Sequence, residues 1–195
     1  MKSKKTVLIL AGTLVVLLVV VSILYKTFGA GSVPSTVPQE QTQAASDGEK
    51  EEDKKTAAAP DFGMTDADGS AITFSDITAG GKPVVLNFWT SWCGYCKQEM
   101  PDFEAAYEAY GDRVEFVMLN AAASEYTDGA GEAYIQDQGY TFPVYYDTAG
   151  EGTSVYGLRG FPTTVVVGAD GNIQYAQSGM LSAEKLQTLI DAALA

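Results

Sequence analysis

Histidine is absent from this chain of 195 residues, and cysteine occurs only twice, at positions 93 and 96. Zinc sites of the usual kind draw four ligands from Cys and His, so no such site can be assembled. Covalent haem attachment needs a His directly after the second Cys, and Lys97 stands there. Positive charge is scarce as well: from Asp61 onward there are 19 Asp and Glu against 5 Lys and Arg. Such an acidic body repels phosphate backbones, which argues against nucleic acid as a partner, and the acidity otherwise serves solubility. For the cysteines there remain an intramolecular redox pair, a structural staple, or two inert core thiols.

The first 60 residues are of another kind, with 7 Lys against 6 acids. Thr6 to Tyr25 is an uncharged run of 20 residues, and as a helix it would span about 30 Å, the thickness of a bilayer core. Lys2, Lys4 and Lys5 precede it, so the positive-inside rule puts the N-terminus in the cytoplasm and everything after Lys26 outside. A cleaved signal peptide is the alternative. The apolar run exceeds the roughly 7 to 15 residues of a signal h-region, and Phe28-Gly29-Ala30 has a bulky residue where cleavage wants a small one. Residues 1–28 are therefore expected to be a basic stub and an uncleaved transmembrane anchor. Lipid attachment after a signal is excluded because the first Cys is Cys93. Gly29 to Ala59, rich in Ser, Thr, Pro, Gln and Ala, is expected to be a disordered tether with a reach on the order of 30 Å.

From Pro60 to Ala195 the patterns are those of a packed domain. Phe62 to Phe74 suggests two short strands around Asp68-Gly69, and Val84 to Trp89 is an apolar strand of the kind buried on both faces. Cys96, Met100, Phe103, Tyr107 and Tyr110 recur at helical spacing up to Gly111. "RVEFVMLNA" reads as the next strand, Glu132 to Gln138 as helix, "FPVYYD" as extended and Glu151 to Tyr156 as a short helix. "TTVVVGADGNIQYAQSG" is a hairpin with Asp170-Gly171 at its tip. Ser182 then caps a final helix with Leu186, Leu189, Ile190 and Leu194 on one face. This order of elements predicts an α/β domain, a mixed sheet with helices on both faces.

Cys93 falls at the first turn of a helix that directly follows a buried strand. Unpaired backbone N–H groups and the positive end of the helix dipole favour an anion there, and a thiolate is one. Lowering a thiol pKa from about 8.5 to about 7 takes the thiolate from a few per cent to about half at neutral pH, and only the thiolate attacks a disulfide. Cys96 lies one turn deeper on the apolar stripe. The spacing thus predicts an exposed attacking sulfur and a shielded resolving one. As a staple the pair would close a loop of two residues and restrict the unfolded chain little.

Trp89, Trp92, Cys93, Gly94, Cys96, Lys97 and Pro101 together resemble the active-site strand and helix of the thioredoxin superfamily. "LNFWTSWCGYCKQEMPDF", with "DADGSAITFSDITAGGKPVV" before it and "GLRGFPTTVVVGADGNI" after it, resembles the TlpA/ResA-like branch of membrane-anchored extracytoplasmic oxidoreductases. The resemblance covers about residues 60 to 195 and implies a thioredoxin-like fold with an N-terminal β-hairpin and a mid-chain insertion, here Tyr126 to Tyr140, a stretch with no chemistry of its own. It also implies that Glu99 is an acid/base group for Cys96, where thioredoxins proper carry a strand acid at the position of Asn87. A carboxyl in low-dielectric surroundings would hold its proton more tightly and could take one from Cys96; the alternative is an ordinary solvated helix residue. Pro162 is implied to be a cis-proline packed against the cysteines, with Pro143 its competitor. Trp92, Gly94, Tyr95 and Phe161 are the candidates for substrate docking, although Phe161 reads equally well as a core aromatic. Trp89 reads as core.

By this resemblance the chain is a bacterial thiol-disulfide oxidoreductase, a monomer with no cofactor beyond the Cys93/Cys96 pair. The resemblance implies what relatives of this type usually are: reductants of oxidised exported proteins, including apocytochromes and methionine sulfoxide reductases, recharged by an integral-membrane thiol carrier. An oxidase of the same fold remains open, because potentials in it range from about −270 to about −120 mV and the Gly94-Tyr95 dipeptide decides nothing. A tethered module that binds clients without turnover is the reading from another class. A peroxidase would want a peroxidatic Cys in its own Thr and Arg surroundings.

Overall fold

The computed structural model describes residues 57–195 and, ahead of them, only Leu14, Leu17, Leu18 and Val20, which are helical. The anchor expected over Thr6–Tyr25 and the tether up to residue 56 thus lie largely outside the described residues. Among those described, no helix is long and apolar enough to cross a membrane. One boundary moves. Residues 57–59, assigned above to the tether, belong to the domain: Ala58 bridges Asn172, the Ala59 N–H donates to the Gly171 carbonyl at 3.0 Å, and Ile173 N–H donates to Ala57 at 2.8 Å.

The first two strands, β1 (Gly63–Thr65) and β2 (Ala71–Thr73), pair antiparallel around a turn in which Gly69 takes a positive φ of 79°. Asp66 closes this turn by accepting the Asp68 and Ser70 N–H groups through Oδ1. Phe74, expected at the end of a strand, instead begins a short helix, α1 (Phe74–Thr78). Thr73 and Asp76 form its capping box: Thr73 Oγ1 accepts the Asp76 N–H, and the Asp76 carboxylate accepts the Thr73 N–H. The spacing Thr-x-x-Asp is the sequence signal of such a start, here embedded in an apolar stretch that reads as strand.

The elements that follow are β3 (Val84–Trp89), α2 (Gly94–Tyr110), β4 (Glu115–Asn120), a 3-10 turn at Ala122–Ser124, α3 (Ala130–Gln138), β5 (Val144–Tyr146), α4 (Glu151–Val155), β6 (Thr163–Val167), β7 (Ile173–Ser178) and α5 (Ala183–Ala193). One seven-stranded sheet results, in the order β2-β1-β5-β4-β3-β6-β7. Strands β3, β4 and β5 run parallel; β6 is antiparallel to β3 and to β7, and β1 is antiparallel to β5. This is the mixed α/β architecture that the element order predicts.

Strand alternation decides what faces what. In β3, Val85 and Trp89 join one apolar cluster with Met100 and Phe103 of α2 and Leu186 and Ile190 of α5. Val84, Leu86 and Phe88 join the cluster on the other face, with Phe62, Phe74 and Tyr156. Successive side chains of a strand point to opposite faces, so Asn87 shares the α2 face with Val85 and Trp89. The polar residue of this strand is therefore directed under the helix that carries both cysteines. Phe103 is fully buried in that cluster. Its truncation to Ala is expected to cost about 3 to 5 kcal/mol of stability, as a shift in the denaturant midpoint at unchanged slope.

Candidate active site

The loop after β3 turns through Thr90, Ser91 and Trp92 and delivers Cys93 as the N-cap of α2. Cys93 keeps an extended backbone, φ −78° and ψ 108°, and its sulfur takes the place of a capping oxygen, accepting the Cys96 N–H at 3.1 Å. The two cysteines are joined as a disulfide with their Cα atoms 5.3 Å apart. Cys96 is fully enclosed, and Cys93 retains 5% exposure. The order of accessibility is the expected one, but Cys93 is buried rather than exposed.

Trp92 is held by its indole N–H, which donates to the Ser124 carbonyl at 3.0 Å. Its ring stacks on Tyr126 at 5.1 Å and meets the edge of Phe161 at 5.9 Å. Tyr126 opens the stretch expected to carry no chemistry, yet it supplies part of the rim beside Cys93. Its neighbour Glu125 clamps the approach to the cysteine, with Ser91 N–H and Oγ donating to its two carboxylate oxygens at 2.6 Å each and Asn120 Nδ2 donating at 2.8 Å. These partners are 34 and 5 residues away, and no local pattern announces them. Glu125→Ala leaves the half-buried Ser91 N–H without its acceptor and the buried Asn120 amide with only the Trp89 carbonyl at 3.5 Å. A loss of about 1 to 3 kcal/mol is expected in chemical unfolding, with faster alkylation of reduced Cys93.

The Phe161–Pro162 peptide is cis, Pro162 is buried, and Phe161 packs against both apolar clusters at the start of β6. The Pro162 carbonyl accepts the Gly179 N–H at 2.8 Å, which ties this corner to the segment leading into α5. Gly94 and Tyr95 are exposed at the helix start, and Trp89 is core as expected.

Glu99, three residues after Cys96 on α2, is only 1% exposed, so the solvated alternative is excluded. Its Oε1 accepts from Asn87 Nδ2 at 2.8 Å and its Oε2 from the Leu181 N–H at 2.9 Å. Asn87 Nδ2 also donates to Thr164 Oγ1 at 3.1 Å, across the Asn87–Thr164 pair of β3 and β6. Burial raises the Glu99 pKa from 4.5 to about 7, against the two hydrogen bonds that lower it; Asp102 adds a smaller upward push. A buried carboxyl poised near neutrality lies one helical turn from the enclosed Cys96 thiol, suited to exchange a proton with it. Among the described residues, no group of three or more His, Cys, Asp or Glu is placed to hold a metal.

The AhpC/TSA family profile matches residues 56–176. The chain belongs to the AhpC/TSA family. Among its relatives are sporulation thiol-disulfide oxidoreductase A of Bacillus subtilis, 34% identical over 70% of this chain and 81% of the relative, and thiol-disulfide oxidoreductase ResA of Bacillus thuringiensis, 35% identical over 66% and 72%. The crystal structure of StoA from Bacillus subtilis superposes with a TM-score of 0.59 at 33% identity, covering 68% of this chain and 98% of that one. Within the AhpC/TSA family the chain is thus a thiol-disulfide oxidoreductase of the ResA and StoA type, and the Cys93–Cys96 pair is its disulfide.

Proposed function

We propose that the protein is a reductant of disulfides in exported proteins, held outside the cytoplasmic membrane by the apolar segment Thr6–Tyr25 and recharged by a membrane thiol carrier. Cys93 attacks the client disulfide, Cys96 resolves the mixed disulfide, and Glu99 takes the proton that Cys96 must lose. Pro162 shapes the edge on which an extended client segment lies. The observation that carries this reading is the buried Glu99 carboxyl, one helical turn after Cys96 on α2. A strong oxidant of this fold owes its potential to a stabilised reduced form, in which a thiolate is favoured. Here the buried acid works against a thiolate at Cys96, and the nearby cation Lys97 is drawn over the Tyr134 ring at 4.8 Å. Both features favour the disulfide and hence a low potential.

Exposed large apolar side chains gather at the same place: Trp92 and Tyr95 flank Cys93, and Tyr126 stacks on Trp92. They form the rim on which a client docks. Trp92→Ala is expected to raise KM for a protein disulfide several-fold while leaving the rate with a small aromatic disulfide within about twofold. Direction is tested by mixing the reduced protein with an oxidised, disulfide-bonded client. Loss of both protein thiols with release of client thiols supports the proposal; formation of disulfides in a reduced client by the oxidised protein, with no reaction the other way, refutes it.

A further inference from the structure

A group that takes up and releases a proton inside a protein needs a partner in both of its states. The ionised Glu99 has two, the Asn87 amide on Oε1 and the Leu181 N–H on Oε2, and both are donors. A protonated Glu99 needs an acceptor. Thr164 Oγ1 is engaged with Asn87 Nδ2. Among the described residues, five buried side-chain atoms lack a partner, and one of them is Asn87 Oδ1, on the same amide that donates to the carboxylate. Leaving such an acceptor unpaired costs stability, which calls for an explanation in the reaction rather than in the resting fold.

We propose that Asn87 is the positioning residue of the proton relay: its amide turns over when Glu99 takes up a proton, donating through Nδ2 to the carboxylate and accepting through Oδ1 from the acid. The turn is a half rotation about χ2, and Thr164 serves both positions. Its hydroxyl accepts from Nδ2 before the turn and donates to Oδ1 after it. Each state leaves one amide atom unpartnered, and the hydrogen bond to the charged carboxylate is the stronger of the two. An Asp at the same position could not do this without adding a second charge at 2.8 Å.

The inference rests on the reductant reading for its place in the cycle. Cys93 thiolate attacks a client sulfur, forming the mixed disulfide and expelling the other client sulfur as a thiolate. Cys96 gives its proton to Glu99 as it attacks Cys93 Sγ; the Cys93–client bond breaks, and two electrons have passed from the dithiol to the client. The second client thiolate then recovers the proton from Glu99 as the amide turns back. Of the elements packed around Glu99, α2 presents Asp102 and Cys96, β3 presents Asn87, β6 presents Thr164, and the segment before α5 presents the Leu181 N–H. Asp102 is the charged group acting on it, and the partners from the other elements do not titrate.

The test is a carboxyl-carbon NMR titration of the full chain in detergent micelles, labelled at Glu, for the natural sequence, Asn87→Ala and Thr164→Val. Loss of a hydrogen bond to a buried charge predicts that the Glu99 midpoint moves up by about one unit or more in Asn87→Ala. A smaller upward move is expected in Thr164→Val, in which the amide loses its anchor. The pH profile of Cys96 thiol exchange moves with the midpoint. Should Asn87→Ala fail to fold, Thr164→Val decides. Midpoints unchanged in the folded variants overturn the proposal. Because the titration is read without any client, it can succeed or fail independently of whether the protein reduces disulfides.

Discussion

Replacing Cys96 by Ala is expected to arrest the protein as a covalent adduct with its client, while Cys93→Ala yields none. Cys93 caps α2 and is the cysteine with a path to solvent; Cys96 has none. Without Cys96 the first attack still occurs, and no sulfur remains to break the mixed disulfide from behind. Turnover should fall at least about a thousandfold in both variants, as befits a nucleophile and its resolving partner. The distinguishing result is the adduct, seen on non-reducing gels and released by dithiothreitol. Equal trapping by Cys93→Ala would make Cys96 the attacking sulfur and contradict the geometry.

The second large effect concerns Glu99 and pH. Its folded pKa of about 7 lies above the ordinary value of 4.5, so the folded state binds this proton more tightly than the unfolded chain. The stability contribution is complete below about pH 4.5 and is lost as pH rises to about 7, a change on the order of 3 kcal/mol. Glu99→Gln removes it. The difference in Tm between the natural protein and the variant should therefore shift by about 10 °C between pH 5 and pH 8, with the natural protein relatively worse at pH 8. In the reaction the sign reverses, because the base form is the useful one. The resolving step should accelerate through about pH 7 in the natural protein and run roughly a hundredfold slower at pH 8 in Glu99→Gln. A pH-independent Tm difference together with an unchanged rate profile would return Glu99 to a structural role.

Both predictions draw on residues that were legible in the sequence, and the reasons are physical. The Cys pair, the buried strand before it and the helical stripe after it are local patterns with fixed periods, and they placed β3 and α2 to within a residue or two. Asn87 and Glu99 stood out only through the resemblance, as a missing strand acid and a helix acid. Their direct contact follows from strand alternation only once the face of β3 that meets α2 is known. Thr164 and Leu181, 77 and 82 residues from their partners, and Glu125 beneath Ser91, carry no local signal at all. Tyr126 was passed over because an insertion is defined by what it lacks, whereas its role lies in the ring it stacks on. The pairing of residues 57–59 carries no sequence signal because it uses backbone groups, which an Ala-rich stretch supplies as well as any other.

The measurement that bears most directly on the whole account is the reduction potential of the Cys93/Cys96 couple, from equilibration of the protein against glutathione and dithiothreitol. A buried acid one helical turn from Cys96, with Lys97 drawn over the Tyr134 ring, predicts about −250 mV or lower. A value near about −130 mV would contradict the account and make the protein a donor of disulfides.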